Sequence, residues 1–190
     1  MAKIGLKSFL YAPLTADDAS TGPTYGTVAA LAGAIASTFT PNVAEASLYV
    51  DDIRKEYEAE LAGGTLSLTI DSDDGTSIKT LLDMNDESVT VSGSTVTGRT
   101  VKSDDTPIAC AFAQIVPLLI GGTKKYRAQV FFKVKFKPYT SEANTKGETL
   151  QFDTTTLEGE TMPLLNGKHH TEYDASSEAD ALAYINAVLA

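Results

Sequence analysis

The sequence predicts an α+β domain dominated by antiparallel strands, and three observations carry that reading. Over residues 126–137 the chain alternates. Tyr126, Ala128, Val130, Phe132, Val134 and Phe136 fall on one face of an extended chain; Arg127, Gln129, Lys133, Lys135 and Lys137 fall on the other, with Phe131 the apolar exception. Successive side chains of a strand point to opposite faces, so this period-two run marks a long, half-buried strand. Val- and Thr-rich runs elsewhere are punctuated by glycines and turn residues, which is the pattern of hairpins. Helical spacing of apolar residues is confined to short stretches, the clearest of them at residues 76–84 and after residue 174.

In chain order, residues 1–11 contain Ile4, Leu6 and Phe9 and read as a short first strand ended by Pro13. Residues 15–26, TADDASTGPTYG, are polar and turn-rich, so they read as a loop or an arm. In residues 27–39, Val28, Leu31 and Ile35 have helical spacing, against which Gly33 and the flanking threonines count. A strand is expected over residues 44–50. Residues 51–60, DDIRKEYEAE, suit either a short helix (Ile53, Tyr57, Leu61) or a charged edge strand (Tyr49, Asp51, Ile53, Lys55, Tyr57), and periodicity does not choose between them. Gly63 and Gly64 start a clearer strand over 65–70. Residues 71–75 are a turn, and Ile78, Leu81 and Leu82 form the stripe of a helix over 76–84.

Residues 88–102 read as a hairpin with Gly93 and Gly98 as breaks. A turn at 104–107 leads to an apolar strand over 108–116, and Gly121-Gly122 turns the chain into the alternating strand. Pro138 ends that strand, because proline cannot donate to a ladder. A polar loop at 140–145 and a second extended piece at 148–156 complete a long hairpin, whose free edges must be paired or left open to aggregation. Residues 162–173 read as a loop. The final helix has Asp174, Ser176 or Ser177 as its cap, Glu178 and Asp180 at its positive end, and Leu182, Ile185 and Leu189 as its stripe.

At 190 residues the chain is long enough for one good core, and it reads as a single domain, 1–190. No run approaches the roughly 20 apolar residues of a membrane helix, and the N-terminus has no signal-peptide pattern. Lone Cys110 lies inside ACAFA, as a small buried hydrophobe would, so no disulfide framework exists and synthesis in the cytoplasm is expected. The formal net charge of −10 argues against general nucleic-acid binding. That charge is uneven: Lys124, Lys125, Arg127, Lys133, Lys135 and Lys137 follow one another with no acid between them, while acids gather at 45–60, 71–87 and 142–180. Such a division either keeps strand faces solvated or lets a basic face on one copy meet an acidic face on the next.

Catalytic and metal chemistry find no constellation. Asp71, Asp73 and Gly75 resemble the start of a calcium loop, but its twelfth position is Leu82 rather than a bidentate Glu. His169 and His170 are adjacent, would face opposite ways on a strand, and read as a solvated loop. Gly121-Gly122-Thr123-Lys124 lacks phosphate-loop spacing, and neither histidines nor cysteine sit beside a nucleophile or base. No enzymatic activity, cofactor or metal is expected.

In order and spacing, KIGLKSFLYAPL, ASLYVDD, GGTLSLTI, LLDM, GGTKKYRAQVFFKVKF and TKGETLQFDTTTLEG (145–159) give the chain a resemblance to the major tail tube proteins of long-tailed bacteriophages with non-contractile tails. The resemblance covers most of the length and leaves the C-terminal helix unplaced. It implies two packed antiparallel sheets, a β-sandwich or partial barrel, with a flanking helix, a long loop and terminal arms (about 1–40 and 174–190). It implies a structural virion protein of the tail, forming six-membered rings stacked into a tube. Its partners would be further copies of itself, a tape-measure protein, and tail-tip and terminator proteins, with DNA passing through the lumen without specific binding. Free sheet edges would then be completed by the neighbouring copy, and acidic side chains lining the bore would keep DNA sliding. On this reading Arg127, Lys133, Lys135 and Lys137 form the basic half of the assembly interface. The tract holding Asp51, Asp52, Arg54, Lys55, Glu58 and Glu60 forms its acidic counterpart. The alternative is a β-sandwich binding or capsid-decoration module, although the absence of Trp removes the side chain sugar platforms use most.

Overall fold

The computed structural model describes residues 2–71, 75–139 and 154–190. In chain order the elements are β1 (Ala2–Lys3), β2 (Lys7–Asp18), β3 (Gly22–Tyr25), β4 (Ala29–Ala30), β5 (Ala34–Val50), β6 (Ile53–Ile70), α1 (Thr76–Leu82), β7 (Asn85–Val91), β8 (Ser94–Thr100), β9 (Ala109–Ile120), β10 (Thr123–Phe136), β11 (Thr155–Thr161), β12 (His170–Ala175) and α2 (Glu178–Val188). The fold is α+β, mainly β, and every described strand pairing is antiparallel. One sheet runs β3-β2-β9-β10-β11-β6-β5, with β1 also on β9, β4 on β2 and β12 on β10, while β7 and β8 form a separate ribbon.

The large sheet folds over so that its two halves face each other. Phe9, Tyr11, Cys110, Phe112 and Phe131 come from one half and Leu66, Leu68, Ile70 and Leu157 from the other, with Ile78, Leu81 and Leu82 of α1 completing the same core. Phe9 and Phe112 meet edge to face at 5.3 Å between centroids, the favoured geometry for aromatic pairs. The sheet does not close into a barrel. Its ends are bridged by residues 31–33, where Leu31 N–H donates to the Phe9 carbonyl (2.9 Å) and Asp71 N–H to that of Gly33 (3.1 Å). A Cβ at Gly33 would press on the Asp71 carboxylate, which accepts from Gly33 N–H, so a side chain there would push Asp71 aside.

Strand β10 serves two cores. Its register against β9 shifts between Phe131 (opposite Phe112) and Val134 (opposite Cys110), so β10 carries one extra residue there. An inserted residue reverses the phase of alternation. Ala128, Val130 and Phe132 therefore pack with α2 in a second core, whereas Phe131, Val134 and Phe136 pack in the first. The expected single apolar face is thus two opposite faces, and Phe131 is the first residue of the second one. At this point the neighbour of β10 also changes, from β12 over Tyr126–Phe131 to β11 over Val134–Phe136.

Several expectations need correction. β2 runs straight through Pro13, which loses one donor while its carbonyl still accepts from Gly26 N–H (2.8 Å). Residues 15–26 are the β2–β3 hairpin rather than a loop. Residues 27–39 are not helical: Leu31 is fully buried, and the ladders with β2 and β6 supply the backbone hydrogen bonds a helix would have supplied. Of the two readings open for 51–60 the strand holds for residues 53–60, with Asp51 and Asp52 in the turn before it, and that strand runs on through Gly63 and Gly64 rather than starting after them. Of the extended piece expected at 148–156, residues 148–153 lie outside the described part, as does the loop at 140–145, and β11 (Thr155–Thr161) continues from its end. α2 is capped by Ser177, whose Oγ accepts from Asp180 N–H (3.1 Å). It buries Ala181, Ile185 and Leu189 and leaves Leu182 exposed.

Candidate assembly surface

The β5–β6 hairpin is the longest ladder in the molecule, running from Ala34 opposite Ile70 to Val50 opposite Ile53. β11 supports β6 only as far out as Gly64, opposite Thr161. Beyond that point both strands are exposed on both faces, and at about 3.3 Å per residue they project roughly 30 Å. Asp51 and Asp52 make the two-residue turn with φ of 51° and 63°. Both residues need the left-handed region in this turn type, and aspartate is among the few non-glycine residues that tolerate it.

Register and alternation give this arm two unlike faces. Val43, Glu45, Ser47 and Tyr49 share one with Leu61, Ala59 and Tyr57; Ala44, Ala46 and Leu48 share the other with Glu60, Glu58 and Glu56. The second face is a carboxylate ladder opposite small side chains. The register shift between Leu48 and Tyr49 leaves Lys55 as the extra residue, and the Arg54 guanidinium lies 5.1 Å from the Tyr57 ring centroid. Burial and then the nearby Glu45 push the Tyr57 hydroxyl above its ordinary range. Near the tip, Tyr49 and Ile53 are 62% and 71% exposed, with Leu48, Val50 and Tyr57 also open to solvent.

The β7–β8 ribbon repeats the theme. Ser92 and Gly93 (φ 51° and 81°) form its turn, Val89 opposite Val96 with Val91 makes an apolar face, and Ser88 bonded to Thr97 (2.8 Å) marks a hydroxyl face. Its three valines are exposed. A two-stranded ribbon alone is marginally stable in water, so each of these hairpins gains from a cover.

The basic face of β10 behaves differently. Arg127 grips Asp174 through Nε (2.6 Å) and Nη2 (2.9 Å) and reaches Glu172 at 2.9 Å. Lys133 pairs with Asp17 (2.7 Å) and Lys137 with Glu160 (2.6 Å). Lys133 and Arg127 hold the carboxyls of Asp17 and Asp174 below the usual carboxylate range. Lys135 is half-buried and has no ion pair among the described residues. The structure therefore brings Asp51, Asp52, Arg54, Lys55, Glu58 and Glu60 together on the arm. It places Arg127, Lys133, Lys135 and Lys137 on the body, with three of the four neutralised within the chain. The expected residues did not include the exposed apolar side chains of both hairpins; the Asp-Asp pair between two alternating runs was the available signal.

Other candidate groups are accounted for locally. Cys110 is buried, its thiol pushed up to about 12 by desolvation. Asp71 accepts from Gly33 N–H (2.9 Å), and residues 72–74 lie outside the described part. His169 is not solvated: it is buried among Phe39, Phe131 and His170. Among the described residues no three His, Cys, Asp or Glu side chains converge on a position that could hold a metal, and no helix is long and apolar enough to cross a membrane. No family model matches the chain, and no curated protein matches it in sequence.

Proposed function

We propose that this protein is a structural subunit that polymerises with copies of itself into a hollow tube, as the resemblance to phage tail tube proteins implies. In that role it would form rings stacked along a virion tail, with DNA leaving through the bore and no chemistry performed on it. One observation supports this most: a β-arm projecting roughly 30 Å with exposed apolar side chains on surfaces that no described residue covers. An identical neighbour offers the arm a cover at every position along a filament, and head-to-tail contacts of this kind close into rings or continue as fibres. Among the described residues no strand pairs with the long outer edge of β5, which supports the same reading.

The arm supplies the acidic ladder Glu56, Glu58 and Glu60, and Lys135, which has no ion pair among the described residues, is a β10 cation that could meet it from another copy. Negative-stain microscopy of concentrated protein tests the reading. Striated tubes or six-fold rings are expected from the natural sequence, and Ile53→Glu with Leu48→Glu is expected to leave a folded monomer. A natural chain that stays monomeric at high concentration, even when seeded, would defeat it. A binding or decoration module is the second reading, favoured by the Tyr173–Tyr184 pair, stacked at 4.6 Å with Tyr173 exposed. Such a module would give that monomeric result and would lose its ligand on Tyr173→Ala.

A further inference from the structure

The arm leaves the body beside the two histidines. Phe39 of β5 lies 5.8 Å from the His169 ring and 6.0 Å from that of His170, and stacks obliquely on Phe131 at 4.9 Å. On the other strand of the arm, Gly64 leaves no room for a side chain, since a Cβ would sit 2.5 Å from the Phe39 ring. Its carbonyl accepts the Thr161 hydroxyl at 3.0 Å. Thr161 Oγ1 lies in turn 3.1 Å from His169 Nε2, and His169 Nδ1 lies 2.9 Å from His170 Nδ1.

These contacts have only one workable direction. A carbonyl cannot donate, so the Thr161 hydroxyl proton is committed to Gly64, and Thr161 Oγ1 must accept from His169 Nε2–H. Neutral His169 then has a bare Nδ1, which accepts from His170 Nδ1–H. The chain of bonds reads His170 to His169 to Thr161 to Gly64. His170 can donate whether neutral or charged, so a first proton on its outer nitrogen leaves the chain intact. A second proton, on His169 Nδ1, sets N–H against N–H, because a charged His170 has no bare nitrogen left to accept it. We propose that His169 and His170 form a proton-operated latch at the root of the β5–β6 arm, closed while at most one of the two rings is charged and released when both are.

The surroundings favour the closed state near neutral pH. Burial, and then the neighbouring His170, lower the affinity of His169 for a proton below the ordinary value of 6.5. The ionisable groups on the adjoining elements are few. On β12, Glu172 follows His170 on the same face and is engaged by Gln129 (2.9 Å); Lys168 precedes His169 in the chain. On β10, Lys133 is taken by Asp17; on β11, Glu160 is taken by Lys137. With the folded-state value lowered, the latch is fully closed above about 6.5 and opens as pH falls through the lowered value. The proposal concerns the single chain and holds whatever the arm binds.

Hydrogen exchange of the full-length monomer tests it, reading the amides of residues 36–42 and 61–66 against those of β9 from pH 7.5 to 5 after correction for intrinsic rates. Protection at the arm root should fall about tenfold on acidification while β9 holds. His169→Gln, which keeps a donor and an acceptor but cannot be charged, should flatten that response. Thr161→Val should leave the arm root weakly protected at every pH. Nitrogen NMR at pH 7.5 should find His169 protonated on Nε2. A flat wild-type profile, a His169→Gln profile that titrates like wild type, a Thr161→Val chain indistinguishable from wild type, or His169 protonated on Nδ1 would each overturn the latch.

Discussion

The body and the two hairpins follow opposite rules. In the body, apolar side chains are consumed: Phe9, Phe112, Phe131 and Phe136 are essentially without exposure, and Arg127, Lys133 and Lys137 are matched to Asp174, Asp17 and Glu160 of the same chain. On the β5–β6 arm and the β7–β8 ribbon, large apolar side chains stand in solvent and Glu56, Glu58 and Glu60 line one face in series. The difference shows which surfaces are spoken for. Exposed ion pairs contribute little to either stability or association, whereas uncovered apolar area is what association removes from water. On physical grounds the arm outranks the basic strand as the candidate surface for the proposed self-assembly.

The contrast can be broken most decisively at Phe131. Phe131→Ala should lower unfolding free energy by about 3–5 kcal/mol in denaturant titration, because it empties a fully buried ring site. Ile53→Ala on the arm should stay within about 0.5 kcal/mol of wild type in the same assay and yet reduce tube formation. If both variants destabilise equally, the arm is covered within the single chain and the distinction fails.

Lys133 and Lys135 separate fold from assembly at smaller cost. Lys133→Glu sets like charges against each other at Asp17 and should cost about 1–3 kcal/mol of monomer stability. Lys135→Glu should leave the melting temperature near wild type and weaken assembly alone. Acid titration gives a related test. Asp17 and Asp174 have carboxyls held below the ordinary 3.8, so they contribute stability above that value and lose it as pH falls through the lowered ones. The acid limb of the melting curve should therefore begin below about pH 4, and Lys133→Ala, which removes the chief cause of the Asp17 shift, should make that limb shallower.

The smallest effect is expected at the arm tip. Replacing Asp51-Asp52 by Asn-Gly suits the same turn better and should stabilise the hairpin by about 0.5–1 kcal/mol, read as slower amide exchange along residues 43–61. Faster exchange would mean that the two aspartates hold the tip in some other way.

Much of this was legible in the residues. Gly121-Gly122 marked the β9–β10 turn, residues 88–102 the β7–β8 ribbon, and Ile78, Leu81 and Leu82 the buried side of α1. Local signals were enough there because turn chemistry and a short stripe decide each element. The bulge in β10 was not legible: Phe131 broke the pattern, but a single apolar outlier does not announce that the pattern has changed phase. Residues 27–39 carried helical spacing that tertiary pairing overrode, through Leu31 in the core and Gly33 against Asp71. The burial of His169 depends on Phe39 and Phe131, far away in the chain, and no local rule reaches that distance. The tract proposed for assembly was chosen for its charges, while the exposure of its tyrosines and aliphatics emerges only in the fold.

The extra residue near Phe132 also has a mechanical meaning. A single stretch of backbone papers two hydrophobic rooms, one on each side of the wall, so neither room can empty without peeling the wall from the other. A load applied to the C-terminal helix must reach the helix of residues 76–82 through that shared partition. The subunit should accordingly yield all at once rather than by halves.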